Sequence, residues 1–65
     1  MKQTDAVYAY METHGSIDPV RAFKDLGCMR LGARIFELKA AGVDVRRQIR
    51  TNPDTGKRWA EYWLA

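Results

Sequence analysis

Two arginines, Arg30 and Arg34, stand four residues apart in the stretch "CMRLGARIFELKAAG", which runs from Cys28 to Gly42. A guanidinium is a flat fork of donors. It can give two hydrogen bonds to O6 and N7 of a guanine, and each good pair of that kind discriminates by about 1–3 kcal/mol. More basic residues follow. From Arg46 onward, Arg46, Arg47, Arg50, Lys57 and Arg58 are basic, while only Asp54 and Glu61 are acidic. Such a zone suits a phosphate backbone or another acidic partner, and otherwise it is a solvated surface. The net charge is only +3, from eleven Lys and Arg against eight Asp and Glu, so its placement matters more than its total.

Other chemistries find little support. His14 is the only histidine and Cys28 the only cysteine. Neither has the partners of a nucleophilic triad, and there is no metal-ligand cluster and no glycine-rich phosphate loop. The expectation is a non-enzyme with no cofactor and no small-molecule substrate. A lone cysteine forms no internal disulfide, which points to a reducing cytoplasm. The beginning of the chain lacks the apolar run of a signal peptide, and no stretch approaches the roughly 20 apolar residues that cross a membrane.

The elements that must position these side chains can be read in order. With 65 residues, one domain is expected, burying about 60% of the surface its unfolded form exposes. A content of 46% hydrophobic and 29% charged residues is that of a globular chain. A first helix is expected over Asp5–Thr13, with Thr4 as its cap and Val7, Tyr10, Met11 and His14 on its buried stripe. Gly15 closes it. Ile17 is a lone apolar residue suited to a very short strand. Asp18 followed by Pro19 is a strong helix start. The second helix should run from Pro19 to Leu26, turn Val20 and Phe23 inward together with Ala22 and Leu26, and end at Gly27. A third helix is expected over about Met29 to Ala41, closed by Gly42. Leu31, Ile35 and Leu38 fall in one narrow sector. Arg30, Ala33, Arg34, Glu37 and Ala41 would lie opposite, with Glu37 pairing to Arg34 or Arg30. Gly32 costs roughly 1 kcal/mol relative to alanine in a helix, so a close approach by a neighbouring helix is expected there.

After Gly42 the period changes to two. Val43, Val45, Arg47 and Ile49 alternate with Asp44, Arg46, Gln48 and Arg50. The run "NPDTG" carries turn chemistry, and "KRWAEYWLA" follows as the partner strand. Ala60, Tyr62 and Leu64 are the preferred inner set, because Glu61 would be costly to bury unpaired. Trp59 and Trp63 then pack over the arginine stems or form a contact surface.

This order, in particular "HGSIDPVRAFKDLG", "RLGARIFELKAAG" and the hairpin ending "WAEYWLA", resembles the winged helix-turn-helix family of DNA-binding domains, of the small bacterial and phage type. The resemblance covers nearly the whole chain. It implies an α+β fold, a compact three-helix winged helix-turn-helix with a C-terminal two-stranded β-hairpin wing. It also implies double-stranded DNA as the partner, in a transcriptional regulator or a phage accessory protein. The third helix would enter the major groove and present Arg30 and Arg34 to bases. Arg50, Lys57 and Arg58 on the wing would hold phosphates. Arg21, in the first turn of the second helix, sits at a further anion site. Useful affinity would call for a homodimer or a larger complex, with Trp59 and Trp63 as the seam. A second reading stays open, in which the scaffold binds another protein as an interaction module or inhibitor.

Overall fold

In the computed structural model, which describes residues 3–65, Asp18 opens the best-defined helix of the chain. Its Oδ1 accepts from the Arg21 backbone N–H at 2.9 Å, and Pro19 follows at the first helical position. The cap satisfies a donor that the helix cannot. At the other end Gly27 takes φ +65°, a left-handed conformation that glycine adopts without strain. The elements run α1 (Gln3–His14), α2 (Pro19–Leu26), α3 (Leu31–Ala40), β1 (Val45–Thr51) and β2 (Arg58–Leu64). Three helices followed by an antiparallel hairpin make the expected α+β architecture.

The hairpin pairs Val45 with Leu64 at its base and Thr51 with Arg58 near its tip. Asn52 organises the turn. Its Oδ1 accepts from the Asp54 N–H at 2.9 Å, and its carbonyl accepts from Gly56 at 2.8 Å. Gly56, at φ +72°, returns the chain. Ile17 adds a one-residue third strand. Its N–H donates to the Tyr62 carbonyl and its carbonyl accepts from the Tyr62 N–H, both at 2.8 Å. This fully buried residue ties the wing to the helices.

The core combines Val7, Tyr10 and Met11 of α1 with Ile17, Ala22 and Cys28, then Leu31, Ile35 and Leu38 of α3, and Val45 of β1. Tyr8, Leu26, Val43, Tyr62 and Leu64 pack at its edge. Tyr62 and Leu64 thus lie on the side of β2 expected to face inward.

Several expectations need correction. The first helix already includes Gln3, so Thr4 lies within it and is no cap. Its hydroxyl instead donates to Glu37 Oε1 at 2.9 Å, linking α1 to α3. His14 ends the helix exposed, its ring stacked on Tyr10 with centroids 4.1 Å apart. The third helix begins at Leu31, which leaves Met29 and Arg30 in the preceding turn. A Cβ on Gly32 would meet nothing within 4 Å, so no neighbouring helix approaches there.

The largest difference concerns α2. Ala22 and Leu26 turn inward as expected, but Val20 is 69% and Phe23 59% exposed. Polar contacts set the rotation. The Tyr10 hydroxyl, at the edge of the core, donates to Asp25 Oδ2 at 2.7 Å, while Arg21 reaches back to Ser16 and Glu61. The inward side of this helix thus joins Ala22 and Leu26 to the polar contacts of Arg21, while Val20 and Phe23 are left facing water.

Two stability changes follow. Ile17→Ala removes a fully buried side chain from the joint between wing and body, and should cost about 2–5 kcal/mol in urea unfolding. Gly32→Ala should hold or raise stability, by up to about 1 kcal/mol, because its backbone is ordinary and its surroundings are open.

Candidate nucleic-acid interface

Helix α3 is anchored by Leu31, Ile35 and Leu38, all at most 5% exposed. With 100° per residue, the ridge opposite that anchor is built from Phe36, Ala40 and Ala33, flanked on one side by Gly32 and Lys39 and on the other by Glu37. Phe36 is 73% exposed. A groove opens between α3 and the inner face of the wing, lined by Gly32, Ile35, Phe36, Lys39, Arg47 and Tyr62. Lys39 from the helix and Arg47 from β1 therefore stand on its two walls, both exposed.

The arginines singled out in the sequence are distributed differently from a paired row. Arg30 precedes the helix. Its carbonyl accepts from the Ala33 and Arg34 N–H groups at 3.1 and 3.3 Å, and its side chain is exposed. Arg34 lies on the flank of α3, with its Nε 2.6 Å from Glu37 Oε1. That Nε is buried, and its N–H points off the line to the carboxylate, so the contact is a charge pair without a hydrogen bond. Glu37 Oε1 also accepts from Thr4 of α1. Arg34 thus faces the seam between α1 and α3, on the opposite flank from Lys39.

Glu61 is the hub of the other face of the wing. Its side chain is only 17% exposed. It accepts from Arg50 Nε at 2.8 Å, from Ser16 Oγ at 3.0 Å and from Arg21 Nη2 at 3.2 Å. Arg21 also donates from Nε to Asp18 Oδ2 at 3.0 Å and lies over the Tyr10 ring. The hydrogen bond from Arg50, opposed by burial and reinforced by Ser16 and Arg21, holds the Glu61 pKa below the usual carboxylate range. The cost of burying Glu61 is thereby met by three partners. Trp63 and Trp59 sit across the ladder from Arg46 and Arg50, half-buried on this same face. Arg46 itself is forked onto Asp44 at 3.1 and 3.3 Å.

Of the six residues expected to bind, Arg21, Arg34 and Arg50 are therefore held by carboxylates of the chain. Arg30, Lys57 and Arg58 are exposed and make no ion pair among the described residues. Linear spacing does not group Lys39, Arg47 and Phe36, which the fold brings to one groove. A helical projection centred on Leu31, Ile35 and Leu38 carries part of the signal, since it puts Gly32, Phe36 and Lys39 on one side.

This arrangement of helices, wing and groove defines a class. A family model described as the winged helix-turn-helix domain matches residues 2–65, and the chain belongs to that family. No curated protein and no solved structure matches it.

The Glu61 hub has a measurable pH signature. Its folded carboxyl gives up its proton more readily than the unfolded one. The resulting stability is present above the ordinary carboxylate pKa and is lost as pH falls through the lowered value. Glu61→Gln should be less stable than wild type at pH 7 by about 1–3 kcal/mol. The gap, measured by urea unfolding of both proteins, should narrow steadily as pH falls below the ordinary carboxylate range.

Proposed function

We propose that this domain binds double-stranded DNA in a sequence-dependent way, with α3 in the major groove and the wing along the backbone. The observation that carries the reading is the outward-opening groove whose two walls bear Lys39 and Arg47. Membership of the winged helix-turn-helix family supports it. In this reading Lys39, Arg47, Lys57 and Arg58 hold phosphates, which position the domain without reading sequence. Arg30, at the leading end of α3, is free to reach a base edge or a phosphate. Arg34, Arg50 and Arg21 act only by exchanging a carboxylate for a phosphate, so their contribution is smaller. One domain with so few contacts binds weakly, and a second copy or a larger complex supplies useful affinity.

A protein partner is the second reading, and the exposed Val20 and Phe23 of α2 favour it. Apolar side chains turned to water on a small domain are common at contact surfaces between proteins.

A salt series separates the two. Fluorescence anisotropy with a mixed-sequence duplex should show log affinity falling linearly with log salt. The slope should approach about −4.5 if Arg30, Lys39, Arg47, Lys57 and Arg58 all neutralise phosphates. Lys39→Ala and Arg47→Ala should each make the slope shallower by about 1 while leaving the unfolding transition in place. A duplex that is not retained even at low salt would leave the protein-partner reading standing.

A further inference from the structure

We infer that Phe36 is a specificity-determining residue that reads the 5-methyl group of thymine, so that the preferred duplex carries thymine where α3 crosses it. The inference rests on the DNA-binding reading above. Phe36 cannot turn into the core, because Leu31, Ile35 and Leu38 and the bond from Thr4 to Glu37 fix the rotation of α3. It stands between Gly32, one turn before, and exposed Ala40, one turn after. Nothing lies within 4 Å of where a Gly32 side chain would begin, so space beside the ring is open on that side. This row of Gly32, Phe36 and Ala40 carries no side-chain hydrogen-bond donor. The guanidinium of Arg34 is on the other flank, against Glu37.

An apolar row of this kind cannot grip a purine edge by hydrogen bonds. The one apolar group that a base pair presents in the major groove is the thymine methyl, and phenylalanine is among the side chains that contact it. Lys39 and Arg47 line the same groove and favour a polyanion over an apolar protein surface as its occupant.

The test begins with duplexes enriched by the wild-type protein from a random-sequence pool. In the tightest of them each thymine is replaced in turn by deoxyuridine, which removes the methyl and keeps the pairing. Wild type should lose about fourfold in affinity at one or two positions, the worth of one buried methylene-sized group. Phe36→Ala, an exposed site whose change leaves the fold intact, should bind the thymine and uridine duplexes alike. Wild type that binds its duplex but ignores every uridine overturns this inference and leaves DNA binding untouched. Phe36→Ala that still discriminates as wild type does overturns it too, because another group then reads the methyl. Failure to enrich any duplex at low salt overturns the DNA-binding reading, and this inference with it.

Discussion

Two hydrogen bonds between Ile17 and Tyr62 join the wing to the helical body, and the rest of the architecture depends on that joint. A two-stranded ribbon is marginal in water on its own, and the bridge adds backbone pairing to the packing of Val45, Tyr62 and Leu64 and to the bonds of Glu61 with Ser16 and Arg21. The bridge sits in the loop between α1 and α2, so it fixes the wing to both helices at once. It orients β2 so that Tyr62 faces α3, where it lines the groove with Phe36 and Lys39. The neighbouring Glu61 necessarily faces the other way, because side chains alternate along a strand. There it collects Ser16, Arg21 and Arg50. The groove-lining face of the wing and its anchoring face are thus separated by the pleat of a single strand.

The orientation of α2 shows polar contacts prevailing over an apolar pattern. Leaving Val20 and Phe23 in water forgoes about 1.5–3 kcal/mol each. Against this, hydrogen bonds to charged groups contribute about 1.5–3 kcal/mol each, and the observed rotation makes them from Tyr10 to Asp25 and from Arg21 to Ser16 and Glu61. It also gives the Tyr10 hydroxyl an acceptor that burial would otherwise deny it. In a helix of eight residues the two sums are comparable, and the long-range bonds decide.

The local features were legible in the residues. Asp18 and Pro19 start α2, Gly27 stops it, and "NPDTG" turns the hairpin, because each of these acts within a few residues of itself. The inner stripe of α3 was legible for the same reason: period and apolar identity agree. The lone strand residue Ile17 was also visible, although its partner was not. What escaped depends on contacts between distant segments. The rotation of α2 is set by Tyr10 and Glu61, which lie on other elements. The spacing of α3 offered Glu37 to Arg34 or Arg30, and the structure pairs it with Arg34, but the Thr4 bond that places this pair at the seam with α1 comes from a distant segment. The pairing of Lys39 with Arg47 across the groove needs the angle between helix and wing, which no local pattern encodes.

In the proposed reading, the face formed by α3 and the inner side of the wing is the one that meets DNA. An amide chemical-shift titration of the protein with an enriched duplex locates that face residue by residue. The largest perturbations should fall on Gly32, Phe36, Lys39, Arg47 and residues near the wing tip, with Val20 and Phe23 little changed. Perturbations concentrated on Val20 and Phe23, with the α3 groove silent, would contradict that reading.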